Sequence, residues 1–281
     1  MSRNSSPTFM EWRPALLLQE QRDEKDFALV VLNQPLNDVE TLRRLWGNAS
    51  LRVAADGGAN RLYHLCQRGE HELGGGELVS FHDLDIIIGD LDSLTQTTRD
   101  YYEKVNPSID IIADEDQYST DFTKAVRHIR AAANRGARDI VAMGGLGGRV
   151  DQGLSQIHHL YMFQTSSTYS EGRLFLVSGE SLTFLLKTGT HRIHVREPKD
   201  GGKHTDYNQE VFDKYAGIIP VKEPSVITLK GFEWDVEDWP TEFGGQISTS
   251  NHVLPESEVV EVTTSADVLF TIALKGRAEK G

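Results

Sequence analysis

The chain has 281 residues, with 42 acids against 29 lysines and arginines, a net charge of −13 and one cysteine. That length suits one large domain or two ordinary ones, and the apolar and charged fractions are those of a folded chain rather than a disordered one. The charge speaks against nucleic acid as a partner, which needs a basic stripe, and a lone Cys66 excludes an internal disulfide and fits a reducing compartment, the cytosol.

Residues 1–25 are polar and read as a flexible N-terminal arm, of which Trp12 to Leu18 could dock on the body. Phe27 to Leu32 is an apolar run of strand length, far too short to cross a bilayer, and Met1 to Gln21 lacks the pattern of a signal peptide, so no membrane is expected. Asp38 caps a helix to about Trp46, Leu51 to Ala55 is a second strand, and a helix from Ala59 to about Arg68 follows. The glycine-rich Gly69 to Glu77 reads as a surface loop or an insertion. A third strand, Ile86 to Ile88, ends in Gly89-Asp90-Leu91-Asp92-Ser93, with a helix around Thr97 to Val105. A fourth, Ile109 to Ile112, leads to Ser119-Thr120, a helix start whose Phe122, Ala125, Val126 and Ile129 share one face. A fifth, Ile140 to Met143, runs into Gly144-Gly-Leu-Gly-Gly148-Arg149 and a helix from Asp151 to Phe163. Strands alternating with helices imply a mostly parallel sheet with helices on both faces, an α/β domain over 26–168.

The texture then changes to short alternating strands separated by turns: Arg173 to Val177, Leu182 to Leu186, His191 to Val195, Ser225 to Leu229, Val259 to Thr263 and Val268 to Leu274. Residues 169–281 are therefore expected to form a C-terminal all-β sandwich, with Arg196 to Ala216 as an inserted loop. Trp234 and Trp239 read as filling its core, and His191 and His194 have no evident partner.

Several signatures are missing: no phosphate-binding G-x-x-x-x-G-K-[ST], no dinucleotide G-x-G-x-x-G after a strand, no zinc cluster and no nucleophile elbow. His158-His159 reads as a polar or partly buried pair, since adjacent helix residues point in different directions. What stands out is a set of acids at successive strand ends: Asp56, then Asp90 and Asp92, then Asp121 at the following helix start. In a parallel sheet these ends share one edge, where such folds bind ligands. Carboxylates gathered there repel one another unless a cation such as Mg²⁺ joins them. Lys124, Arg149 and the glycine loop before it add positive charge and close backbone approach for a phosphate, and Asp151 follows at a helix start. Taken singly, Asp121 and Asp151 are also explained as helix caps, Lys124 as a solvated lysine and Arg149 as a structural ion pair; together they favour a Mg²⁺–phosphate site.

Five segments in order resemble the thiamine pyrophosphokinases: Ala55-Asp56-Gly57-Gly58-Ala59-Asn60-Arg61-Leu62-Tyr63, Ile88-Gly89-Asp90-Leu91-Asp92-Ser93, Gln117 to Lys124, Gly144 to Gln152, and Ser248-Thr-Ser-Asn251. Asn33-Gln34, Gly231 to Pro240 and the insertions resemble fungal members most. The resemblance implies a homodimer with active sites at the subunit interface, which transfers pyrophosphate from ATP to the hydroxyl of thiamine, giving thiamine diphosphate and AMP. Carried over by position, it makes Asp90, Asp92 and Asp121 the Mg²⁺ ligands and puts Asp56, Arg149 and Asp151 at the reaction centre. Gln117, Thr120, Lys124 and Gln152 would contact ATP and the reacting groups, and Ser248 and Asn251 would hold thiamine. Either Asp151 or Asp56 could accept the alcohol proton. Phe270 stands where animal members carry a tryptophan beside thiamine. Two other readings use the same residues: a Mg-dependent nucleotide pyrophosphohydrolase, with water as nucleophile, and a non-catalytic thiamine or nucleotide sensor.

Overall fold

The computed structural model describes residues 9–20, 25–72, 80–132, 138–197 and 211–276. The chain divides into two compact units, Glu20–Gly179 and, joined to the first nineteen residues, Glu180–Gly281. Phe9–Trp12 is a strand (β1), followed by a 3-10 turn over Pro14–Leu18. Both belong to the second unit, so the described part of the expected arm is ordered structure.

The first unit runs β2 (Phe27–Val31), α1 (Val39–Asn48), β3 (Ala49–Ala55), α2 (Gly58–Glu72), β4 (Ile86–Gly89) and α3 (Gln96–Val105). It continues with β5 (Asp110–Ala113), α4 (Asp121–Ala132), β6 (Asp139–Met143), α5 (Val150–Phe163) and β7 (Leu174–Val177). Its strands pair in parallel in the order β7-β6-β2-β3-β4-β5. β2, β4 and β7 are buried along their whole length, as their unbroken apolar sequences require of strands covered on both faces. The Asp38 carboxylate accepts the Thr41 N–H and Thr95 accepts that of Thr98, so short polar side chains start α1 and α3. The chain leaves β2 for β3 on one side and returns to β6 on the other, which puts a topological switch point at the carboxyl ends of β2 and β6.

Two expectations shift here. Leu174–Val177 reads by its alternation as part of the sandwich, yet it pairs in parallel with β6 and sits in the first unit. Helix α2 continues through Gly69 to Glu72, because one glycine inside a helix costs only about 1 kcal/mol; the rest of the glycine-rich loop lies outside the described residues.

The second unit adds β8 (Ser181–Leu186), β9 (Gly189–His194), β10 (Phe212–Ile219), β11 (Ser225–Lys230), β12 (Trp239–Thr241), β13 (Ser248–His252), β14 (Val259–Thr264) and β15 (Val268–Leu274). One sheet is ordered β1-β9-β14-β11-β12 and the other β13-β10-β15-β8, antiparallel except for β1 on β9. The expected all-β sandwich is therefore present. Trp12 from the first sheet stacks on Phe184 of the second at 4.5 Å, and Phe184 meets Phe270 at 5.2 Å, all three fully buried. Phe270 thus packs the sandwich core. β1 also supplies the partners that the histidines lack in sequence: Trp12 Nε1 donates to His191 Nδ1 at 3.0 Å, and His194 Nε2 lies 2.7 Å from a Glu11 oxygen. The stretch expected as an inserted loop ends in β10 from Phe212 onward, and its middle lies outside the described residues.

Candidate active site

The acids gather at the ends of β3 and β4. Asp56 follows β3 with a left-handed φ of 42°, while its N–H still donates to Ile88 O at 2.9 Å. This turn drives its side chain inward, to 2% exposure. One carboxylate oxygen accepts the Ser93 N–H at 3.1 Å; the other, Oδ1, is buried without a hydrogen-bond partner. Gly89 makes this possible, for a Cβ there would stand 2.7 Å from Asp56 Cβ and 2.8 Å from Asp121 Oδ1. Leu91, also left-handed at φ 64°, folds the turn so that Asp92 N–H donates to Asp90 Oδ1 at 3.1 Å. Ser93 Oγ donates to Asp92 Oδ1 at 3.0 Å. As a result Asp56, Asp90 and Asp92 each present one oxygen within 4.8 Å of the others.

Asp121 stands beside this group on the first turn of α4. Its Oδ1 accepts the Asp90 N–H at 3.3 Å and faces Lys124 Nζ at 3.4 Å. Lys124 is 2% exposed, so an ammonium is held inside the unit against a carboxylate. Burial raises the Asp56 pKa above the ordinary value, the Ser93 N–H works against that, and the charges of Asp121 and Asp90 add to the rise. Burial raises Asp121 as well, against the pull of Lys124. Such a cluster holds more negative charge than the protein around it neutralises, which is what a divalent cation or the proton would relieve.

The loop after β6 carries left-handed glycines at 144, 147 and 148, and the Gln34 side chain lies against Gly144 and Gly148. Arg149 ends this loop as the residue before α5. Its guanidinium forks onto Asp151, at 3.1 and 2.6 Å, with both side chains in solvent. Their mutual attraction raises the arginine's pKa and lowers the aspartate's. The two are thus paired with each other and do not join the acid cluster. Gln117 and Gln152 are exposed, while Thr120 Oγ1 accepts the Thr123 N–H at 3.2 Å and starts α4.

In the second unit, Ser248 and Asn251 belong to β13, and both line a cavity of about 200 Å³ with Trp234, Trp239 and Ile247. Asn251 is buried, and its amide accepts the Trp234 N–H at 3.2 Å and donates to Trp234 O at 3.0 Å. It therefore fixes a tryptophan that is 54% exposed. The core role expected for Trp234 does not hold: Asp235 accepts the N–H groups of Gly231 and Phe232, and this turn carries the indole outward. An exposed indole on a small cavity suits a flat cationic ring. Larger hollows of about 430 Å³ (beside Thr241) and 380 Å³ (beside Arg61) contain none of the acids.

Comparison with known proteins agrees with both halves. Residues 42–170 match the thiamin pyrophosphokinase catalytic domain and residues 190–269 the vitamin B1 binding domain of the same family. Thiamine pyrophosphokinase 3 of Oryza sativa subsp. japonica is 36% identical over 89% of this chain and 87% of its own. The Saccharomyces cerevisiae thiamine pyrophosphokinase is 27% identical over 92% and 88%. The expected likeness to fungal members is therefore corrected in favour of plant ones. Among solved structures, thiamin pyrophosphokinase from Candida albicans superposes with a TM-score of 0.73 at 26% identity, over 96% of this chain and 95% of its own.

Proposed function

The chain belongs to the thiamin pyrophosphokinase family, and from that premise we propose that the acids at the ends of β3 and β4 hold the Mg²⁺ with which it makes thiamine diphosphate and AMP from ATP and thiamine. The observation that carries this reading is Asp56 Oδ1, a buried carboxylate oxygen without a partner inside a group of three carboxylates. Those donors fit a hard divalent ion. Asp56, Asp90 and Asp92 hold it, and Asp121, also expected among its ligands, completes the acid wall while aiming Lys124. When bound, the ion neutralises phosphate oxygens and the charge that moves onto the leaving phosphate.

The alcohol of thiamine attacks the β-phosphorus and gives its proton to Asp151, freed when Arg149 turns to the phosphates, while the bond from the β-phosphorus to the α–β bridging oxygen breaks and that oxygen leaves on AMP. Lys124 and the amino end of α4 meet the charge that develops there. Arg149 joins them by leaving Asp151, an exposed pair of little net strength. Gln117, Thr120 and Gln152 contact the nucleotide, and Ser248, Asn251 and Trp234 hold thiamine. The active form is a homodimer with active sites at the subunit interface; exposed Tyr118, Val150 and Leu154 in one unit and Trp234 and Phe243 in the other supply apolar surface for it. The protein works in the cytosol, in keeping with its single cysteine, and without nucleic acid, in keeping with its charge of −13. Among the described residues no helix is long and apolar enough to cross a membrane.

Incubation with ATP, Mg²⁺ and thiamine should yield AMP and thiamine diphosphate in equal amounts, with neither formed when thiamine is withheld. AMP released without thiamine would replace this reading with a hydrolase, and no AMP at all with a sensor. For the vitamin site, Trp234→Ala should raise the KM for thiamine about tenfold, the worth of one partly desolvated cation–π contact. The KM for ATP should stay within twofold, and steady-state kinetics with each substrate varied in turn check both.

A further inference from the structure

The reaction scheme uses Asp121 and Lys124 but leaves aside the buried histidine beside their helical turn. His159 of α5 is 2% exposed. Its Nδ1 meets the Ser155 carbonyl oxygen, which can only accept, so the hydrogen of a neutral ring resides on Nδ1 and leaves Nε2 bare. Facing Nε2 are the hydroxyls of Thr123 at 2.8 Å and Thr120 at 3.0 Å, themselves 3.0 Å apart. Thr120 Oγ1 already accepts the Thr123 N–H, so its own hydrogen points onward. Phe122 and Phe163 pack on the imidazole, with ring centroids at 4.9 and 6.0 Å.

We propose that His159, as the neutral Nδ1–H tautomer, is a positioning residue for the transfer: by accepting the Thr123 hydroxyl hydrogen at Nε2, while the Thr120 hydroxyl donates in turn to Thr123 Oγ1, it fixes the first turn of α4, and with it Asp121 and Lys124. The two threonines stand directly before those two residues in the chain, so a shift of either hydroxyl moves the backbone that carries a reacting charge. Burial, aided by neighbouring His158, lowers the imidazole's pKa and keeps Nε2 bare at neutral pH. The inference rests on the reading of Asp121 and Lys124 as parts of the site, but the tautomer can be checked without it.

Histidine ¹⁵N spectra of the full chain should show Nδ1 protonated and Nε2 unprotonated for His159; the opposite tautomer overturns the proposal whether or not the protein turns over. His159→Phe keeps an aromatic ring between Phe122 and Phe163 and removes only the acceptor. It should lower kcat roughly 10- to 100-fold, as loss of an outer-shell partner does, with the KM for thiamine within twofold. His159→Gln, whose amide oxygen can accept the same hydroxyl, should recover most of that loss. Should His159→Phe fail to fold, Thr123→Val removes the donor instead and should lower kcat in the same way. Where both fold, combining them should cost no more than either alone. An unchanged kcat, a Gln variant no better than Phe, or additive losses overturn the proposal.

Discussion

Asp56→Asn is expected to lose turnover about a thousandfold, the equivalent of several kcal/mol of charge stabilisation by the metal, and yet to melt higher than the wild type when no Mg²⁺ is present. Burial raises the Asp56 pKa above its ordinary 3.8, and the charges of Asp121 and Asp90 add to the rise. The folded state then binds the proton more tightly than the unfolded chain does. That contribution to stability is full below the unfolded value and is lost as pH rises through the folded one. At neutral pH the ionised side chain is a burden on the metal-free fold. Asparagine keeps an oxygen for the Ser93 N–H, removes the charge and tolerates the left-handed φ. A gain of 1 kcal/mol would show as about 2–4 °C in melting temperature for a chain of this class. Adding Mg²⁺ should reverse the order, because only the wild type gains the stabilisation of a bound ion. Asp92→Asn, at an exposed position, should lose comparable activity without the gain in stability. Calorimetry with and without Mg²⁺, beside AMP production, reads all of this. Equal Mg²⁺-induced shifts in wild type and Asp56→Asn would sink the assignment.

What sequence could and could not supply follows from the forces that set each element. β2, β4 and β7 are legible because both faces are covered, so their residues are apolar without interruption, and each run stops at a polar residue or a glycine, Asn33, Gly89 and Ser178. β1 and β13 are not. Phe9-Met-Glu-Trp12 is four residues long, and Ser248-Thr-Ser-Asn-His252 has no apolar alternation. Pairing with β9 and β10, distant in sequence, makes them strands. The acids' edge of the sheet was readable from their places after successive strands. Which carboxylates approach most closely was not, since that depends on the left-handed turns at Asp56 and Leu91. Gly89 was the available signal: it is the one position in that turn where any side chain would collide with both Asp56 and Asp121. Arg149 and Asp151, two apart at a helix start, satisfy each other locally, a partnership that spacing permits but does not announce. Trp234 departs from the core role because, although indoles are highly buried on average, the carboxylate of Asp235 decides where it goes.

Lys124→Met should lower kcat about 10²- to 10³-fold, the usual loss when one preorganised positive group is withdrawn from a developing negative charge. Methionine matches the length of the lysine stem and is apolar enough for a side chain that is 2% exposed. The loss of activity therefore cannot be assigned to lost packing. A second effect should appear in stability. Asp121 is already raised by burial, and Lys124 is the charge that pulls it down. Without the lysine its folded pKa rises further. The single variant should then be less stable than wild type at neutral pH, and the deficit should shrink as the solution is acidified toward the ordinary carboxylate value, where Asp121 is protonated in both states. Adding Asp121→Asn to Lys124→Met removes the stranded charge and should return the melting temperature toward wild type while turnover stays low. Urea unfolding at several pH values, together with single-turnover product formation, separates the two roles. Were turnover to recover along with stability in the double variant, Lys124 would serve only to neutralise Asp121, and the positive charge meeting the leaving phosphate would have to be Arg149 alone.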